Sequence, residues 1–248
     1  SHFAAWRVER LWALGEVDGA LDLARAIPGR EQDEGLSRLL LDGAWLAGDT
    51  AGACAWIRLQ IERFAAIPWQ RGLIFCQAIQ DQQPRAQLGL RLLREQAAPE
   101  DGAFDRLIAV LLGEARTAAV SLKGSTALHI AMLRVARQPV PADALANAPP
   151  AFLRAIADSP TASIEQRLGA AERAGAQGAL APEALARIYD QLPFKAEDIA
   201  NAPRLAESDR TPRGRALLYR HARQQTSSVA QADALQRVGV LCPKSTGG

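Results

Sequence analysis

The feature that most constrains this fold is a short motif that recurs along the first half of the chain. It reads Gly-acid-x-x-x-Ala at 15–20, 48–53 and 113–118, and a weaker copy at 81–86 has aspartate in place of the glycine. The alanines that end the four copies, at positions 20, 53, 86 and 118, are 33, 33 and 32 residues apart. A near-constant interval of this length is typical of proteins built from stacked structural repeats.

Each copy has the composition of a helix, a tight turn and a second helix. Apolar residues with helical spacing precede the motif, as at Leu36, Leu39 and Leu40. The glycine permits the positive φ that ends the first helix, and the acid that follows it favours the start of the second. The small alanine lets two helices approach closely. The sequence therefore predicts helix pairs of about 33 residues that bury their apolar faces by stacking on one another.

This pattern resembles the tetratricopeptide (TPR) class of repeats. The resemblance covers residues 3–120 and rests on the motif together with Pro28, Pro68 and Pro99, which close the units. It implies an all-α fold, a right-handed α-solenoid of stacked antiparallel helix pairs. It also implies a groove that binds another protein or an extended peptide, although the family's Lys/Asn clamp for a peptide carboxylate is not seen in this sequence.

Residues 121–241 predict a second helical-repeat region that is continuous with the first and has an irregular, longer repeat. The segment Ala142–Pro149 reappears 54 residues later as Ala196–Pro203, and a capped helix is predicted after each copy, near 161–174 and 211–224. A last amphipathic helix is predicted at 226–240 and a flexible tail at 242–248. No segment shows the alternation of a strand, which favours an all-α chain.

No pattern in the sequence indicates catalysis, so we expect no enzyme activity, no metal and no cofactor. His129 and His221 lack the spacing of metal ligands, and no Cys-x-x-Cys pair is present. Lys123–Thr126 has the wrong order for a phosphate-binding loop. Glu207 precedes Ser208 as in the soluble lytic transglycosylases, but the downstream motifs of that family are absent and Glu207 is predicted to lie in a loop.

A protein is the partner that the sequence favours. The net charge of +2 is too small to indicate nucleic acid, and no apolar run is long enough for membrane insertion. Arg38 and Arg71 lie 33 residues apart on equivalent helices, so we expect both to contact an acidic partner from one ridge of the groove. The five tryptophans are predicted to lie in the core, with Trp69 the best candidate for partial exposure and so for a third contact with the partner. A non-enzymatic scaffold is the expected function; the alternative is the helical accessory region of a larger cell-envelope enzyme or machine.

Two cysteines bear on the compartment. Cys54 and Cys76 fall on consecutive antiparallel helices, but their distances from the turn near Pro68 differ by roughly 9 Å of helical rise. A disulfide needs Cα atoms within about 7 Å, so a bridge is allowed but not required, and two reduced thiols are the alternative. The chain has three Lys and one Met, and its opening Ser1-His2 resembles the remnant of a cleaved tag. Together with the two cysteines, these features predict a periplasmic protein, and the cytoplasm is the alternative.

Overall fold

The structure is a computed structural model that describes residues 2–241, so the tail predicted at 242–248 lies outside the described residues. Within residues 2–241 the chain forms α-helices joined by turns and contains no strand, which confirms the all-α prediction. The helices are α1 (His2–Ala13), α2 (Val17–Ala26), α3 (Glu34–Ala47), α4 (Thr50–Gln60), α5 (Ile67–Ile79), α6 (Gln83–Glu95), α7 (Gly102–Leu111), α8 (Ala127–Val135), α9 (Pro150–Ala157), α10 (Ile164–Ala176), α11 (Pro182–Asp190), α12 (Ala196–Ala200), α13 (Ala202–Ser208), α14 (Pro212–Gln224) and α15 (Ser228–Leu241).

The turn of each sequence repeat has the same backbone conformation. Gly15, Gly48 and Gly113 have φ values of 90°, 79° and 76°, and Asp81 has a φ of 57° at the corresponding position of the third copy. Aspartate is one of the few residues that visit the left-handed region, because its short polar side chain bonds locally. The substitution of aspartate for glycine therefore leaves the turn between α5 and α6 intact.

The repeat alanines lie inside the protein. Ala20, Ala53 and Ala86 are fully buried, and Ala118 is 9% exposed. The helices of the pairs α1–α2, α3–α4 and α5–α6 contact each other, as expected of helix pairs. These small residues stand where a longer side chain would separate the helices.

The fourth repeat forms only its first helix, α7, so the prediction of a second helix after Gly113 is wrong. The chain there runs without a helix until Thr126, and the amide side chain of Gln138 holds it. Gln138 Oε1 accepts from the Ala118 N–H at 2.9 Å, and Gln138 Nε2 donates to the Arg116 carbonyl at 3.4 Å. The side chain of Gln138 thus supplies hydrogen-bond partners that a helix would otherwise provide.

The second half of the chain folds back onto the first. Helices α8 and α9 both pack against α3, and one hydrophobic core extends from Val17 in α2 to Ala216 in α14. Arg134 of α8 donates to the Leu46 carbonyl at 3.3 Å. The two parts of the chain therefore share a core, and α8 covers part of α3.

Side chains cap the starts of α10 and α14 in the second half of the chain. Ser163 caps α10 by accepting from the Gln166 N–H at 3.2 Å, and Thr211 caps α14 by accepting from the Gly214 N–H at 3.4 Å.

Glu207, predicted to lie in a loop, is an exposed residue of α13. Pro203 stands in the first turn of α13, where its missing N–H costs no helical hydrogen bond, so a helix can begin here and Glu207 does not lie in a loop.

Candidate functional site

The two arginines singled out in the sequence lie in one cleft. Arg38 of α3 and Arg71 of α5 line a narrow space of about 40 Å³, whose far wall includes Leu128 and His129 of α8. The equivalent positions of the two arginines on successive first helices bring them together. Because α8 lies over this face of α3, the cleft is small and partly enclosed.

Each arginine already has a carboxylate partner. Arg38 Nε lies 3.3 Å from Asp42 Oδ1, one helical turn further along α3, and Arg71 Nη1 lies 3.1 Å from Asp101 Oδ2. Arg71 also donates to the Pro99 carbonyl. An acidic ligand would have to compete with these carboxylates, and the contact of Arg38 and Arg71 with an acidic partner stays a prediction.

Asp101 connects this cleft to the start of two helices. Its Oδ1 accepts from the Phe104 N–H at 3.1 Å, which caps α7, and lies 3.0 Å from His129 Nε2. His129 Nδ1 accepts from the Thr126 N–H at 2.9 Å, so the ring proton belongs on Nε2, which donates to Asp101. The neutral histidine thereby ties the start of α8 to the start of α7.

Burial and charge act in opposite directions on the acid and the base of the cleft. Burial lowers the pKa of His129, against the field of Asp101, which favours the charged ring. Burial raises the pKa of Asp42, against the pull of Arg38 towards the carboxylate form. Both shifts follow from removing a charged form from water.

Thr126, His129 and Asp101 are arranged in the order of a nucleophile, a base and an orienting acid, with Thr126 Oγ1 3.1 Å from His129 Nδ1. The single lone pair of Nδ1 already accepts the Thr126 N–H, however, so it is not available to take the hydroxyl proton. The arrangement is that of a helix cap. In the described part of the chain, no group of three or more His, Cys, Asp or Glu side chains is placed to hold a metal ion.

Trp69 is fully buried, so the prediction that it is partly exposed is wrong. Its Nε1 donates to Glu34 Oε1 at 3.2 Å, and its ring packs 5.4 Å from that of Phe64. The indole thus bridges the first turns of α3 and α5, and the acceptor for its N–H comes from 35 residues upstream. Trp6 is instead the exposed tryptophan, at 46%.

Cys54 of α4 and Cys76 of α5 are joined by a disulfide with a Cα–Cα distance of 5.6 Å. Both residues are buried. The turn between the two helices starts at Ile61, well before Pro68, so the cysteines lie closer in level than a turn at Pro68 would place them. The sequence left this pairing open because the length of that turn decides it.

An apolar groove is exposed between α5, α6 and the turn that follows α4. It has a volume of about 320 Å³ and is lined mainly by Ile61, Leu73, Ile74, Leu88 and Leu92. Leu88 and Leu92 lie one turn apart on α6 and are 48% and 44% exposed. We call this surface the α4–α6 groove. Sequence reasoning missed it, although leucines on more than one side of α6 are a usable signal of a helix with two apolar faces.

The helix beside this groove is basic. Helix α6 carries three arginines, Arg85, Arg91 and Arg94, and one acidic residue, Glu95. Of the arginines, Arg85 lines the groove. Within the described residues, none of the three arginines forms an ion pair with a carboxylate, in contrast to Arg38 and Arg71. The α4–α6 groove therefore combines exposed apolar surface with one lining arginine, Arg85, that forms no ion pair with a carboxylate among the described residues.

Comparison with protein families, curated proteins and solved structures finds no match for this chain. In the part of the chain that the structure describes, no helix combines the length and the apolar character needed to cross a membrane.

Proposed function

We propose that this protein is a non-enzymatic protein–protein interaction scaffold, built as a TPR-like right-handed solenoid, which docks an acidic amphipathic helix of a partner in the α4–α6 groove. The observation that carries the proposal is the pair of half-exposed leucines, Leu88 and Leu92, beside an apolar groove. The left-handed turns at equivalent repeat positions support the TPR-like part of the proposal.

The shape and charge of the groove support this occupant. Leucines one helical turn apart match the spacing at which an amphipathic helix presents its own apolar residues to a groove. Arg85, which lines the groove without a carboxylate partner among the described residues, favours glutamate or aspartate on the polar face of the partner, since complementary charge raises the association rate and excludes basic partners.

The cleft of Arg38 and Arg71 is the competing site for an acidic partner. Its volume of about 40 Å³ is far smaller than that of the α4–α6 groove, and α8 lies over it. A partner carboxylate there would also replace Asp42 or Asp101, each already within 3.3 Å of an arginine nitrogen. The groove needs no such exchange, which favours it.

Two designed helical peptides test the proposal. Both carry the same leucine face, and one has glutamates and the other lysines on its polar face. Fluorescence anisotropy should show tighter binding of the acidic peptide. Replacing both groove leucines, Leu88→Ser with Leu92→Ser, should weaken that binding at least about tenfold, because anchor residues in an apolar groove carry most of the binding energy.

A matched control separates the groove from general surface hydrophobicity. Leu59 is 73% exposed on α4 but does not line the groove, so Leu59→Ser should leave the affinity unchanged. Equal effects of the Leu59 and groove variants, or equal binding of the basic peptide, would refute the proposed groove. Loss of binding in Arg38→Gln or Arg71→Gln alone would assign the partner to the cleft instead.

A periplasmic location is part of the same proposal. The Cys54–Cys76 disulfide supports it, because such bridges persist in oxidising compartments. It equally favours the alternative that the chain is a helical accessory region of a larger cell-envelope enzyme or machine. Mass spectrometry of the non-reduced native protein should detect the bridge in the periplasmic fraction; two free thiols in a cytosolic protein would contradict the location.

A further inference from the structure

The two ends of the α4–α6 groove differ in charge. Helices α5 and α6 run in opposite directions, so the end of α5 lies beside the start of α6, where the Gln82 N–H donates to the Gln77 carbonyl at 2.9 Å. At the opposite end, Gln70 Nε2 donates to Gln96 Oε1 at 3.4 Å. The lining therefore runs from Gln77 and Arg85 at one end, which we call the Arg85 end, to Gln70 and Gln96 at the other, which we call the amide end.

The charge of the Arg85 end comes from one exposed side chain. Among the described residues that line the groove, Arg85 is the only one with an ionised side chain. Its Nη1 donates to Gln82 Oε1 at 3.3 Å, which is an uncharged acceptor, and within residues 2–241 it makes no ion pair. The dipoles of α5 and α6 are opposed at this end and largely cancel, so the guanidinium decides the charge that a ligand meets there.

Charged residues beside the lining leave this difference in place. Near the Arg85 end, Arg58 Nη1 donates to Gln80 Oε1 at 3.1 Å and Asp81 lies in the turn between α5 and α6, which adds one charge of each sign. Gln70 Nε2 also donates to the Ala65 carbonyl at 2.6 Å, so the turn after α4 lies at the amide end. Beside the lining residues of the amide end, the chain carries two glutamates and two arginines: Glu62, Arg63, Arg94 and Glu95. Each set has no net charge, and the charge of Arg85 remains.

We infer that the α4–α6 groove holds its partner helix in one direction, with the acidic end of that helix on Arg85 and an uncharged end beside Gln70 and Gln96. This inference rests on the proposed docking of an acidic amphipathic helix in the groove. It narrows the partner to a helix whose acidic residues are concentrated at one end of its leucine face.

The side chain of Arg85 selects the direction. A glutamate at the Arg85 end gains a charge-assisted hydrogen bond from the guanidinium. In the reversed direction, the same glutamate lies beside the amides of Gln70 and Gln96, far from that charge. Leu88 and Leu92 favour neither direction, because a helix turned end for end keeps the spacing of one turn between its own leucines. The leucines therefore supply affinity and Arg85 supplies the direction.

A helical peptide with a leucine face and two glutamates at one end tests this inference on the full chain. One version carries a photoreactive diazirine at the acidic end, and a second version carries it at the uncharged end. After illumination, mass spectrometry maps the cross-linked residues. The acidic-end label should attach near Gln77 and Arg85 at least about threefold more often than near Gln70 and Gln96, as expected of an exposed ion pair. The label at the uncharged end should show the opposite preference.

Two outcomes of this experiment separate the inference from the proposed function. Binding of the peptide with equal cross-linking at both ends would overturn the inference and leave the groove as the docking site. Absence of binding would overturn the proposed docking in the groove, and the inference with it.

A charge exchange assigns the direction to Arg85. The double variant Arg85→Gln with Gln96→Arg keeps the residue types of the lining and moves its cation to the amide end, so the bound peptide should reverse. Both side chains are exposed, and neither change alters the core. Arg91→Gln with Gln87→Arg makes the same exchange at exposed positions of α6 outside the lining and should leave the direction unchanged. A direction that persists in the first double variant, or that reverses in the second, would overturn the assignment.

Discussion

An ion pair in the core joins α10 to α14, and removing one of its partners should strongly destabilise the protein. The side chains of Glu172 and Arg215 are each 5% exposed. Arg215 Nε donates to Glu172 Oε1 at 2.8 Å, its Nη2 donates to Oε2, and Tyr189 of α11 donates its hydroxyl proton to Oε1 at 2.7 Å. The carboxylate thus accepts three hydrogen bonds in a site with little access to water.

The magnitude follows from that burial. Glu172→Gln keeps the shape of the side chain but leaves the guanidinium of Arg215 buried without this carboxylate, which should lower the free energy of unfolding by about 3–5 kcal/mol. Combining it with Arg215→Met removes both charges. Because the charge that remained in the single variant is then gone, the double variant should recover at least about half of the loss.

Urea denaturation of Glu172→Gln, Arg215→Met and the double variant measures these free energies of unfolding. Asp22→Asn is the matched control, because Asp22 pairs with Arg25 at 2.9 Å on the surface, with side chains 77% and 59% exposed. Such a pair contributes about 0–1 kcal/mol. A Glu172→Gln loss no larger than that of Asp22→Asn, or a double variant as unstable as the sum of the single changes, would refute the reasoning.

Ala53→Leu should lower the free energy of unfolding by about 1–3 kcal/mol, because Ala53 is fully buried where helices touch; a thermal melt like that of the parent would contradict this packing. Replacing Cys54 and Cys76 together by alanine should cost about 3 kcal/mol, since the bridge closes a loop with a sequence separation of 22 residues; a difference that persists when both proteins are reduced would indicate lost packing instead. Because burial lowers the pKa of His129, the free energy of unfolding should fall as the pH drops below the ordinary value of 6.5. His129→Gln should reduce that slope in urea titrations at several pH values, and an unchanged slope would refute the assignment.

The sequence predicts contacts between neighbouring helices well. A helix pair is encoded within one repeat, by its apolar spacing, its turn residue and its small alanine. Even the irregular turn at Asp81 follows, because aspartate tolerates the left-handed backbone that the glycines adopt elsewhere. The first three helix pairs could therefore be predicted from the sequence.

Contacts between distant segments leave no such periodic mark. Arg134 and Leu46 are 88 residues apart, and nothing in either segment indicates that α8 covers α3. For the same reason the sequence did not predict the burial of Trp69, whose hydrogen-bond acceptor is Glu34. It also did not predict the cavity between α2, α3, α8 and α9 that Arg134 lines. The absence of a helix after Gly113 also involves a distant residue, because the Ala118 N–H donates to the side chain of Gln138, 20 residues downstream.

The packing of α8 and α9 onto the first helices has a consequence for how the molecule opens. In an array whose repeats contact only their neighbours, units detach one at a time from an end. Here the Arg154–Asp18 pair links residues 136 positions apart, and α8 holds α3 from outside its own repeat. Amide hydrogens of α3 and α8 should therefore exchange with solvent in one concerted opening, at a common free energy above that of the terminal helix α1.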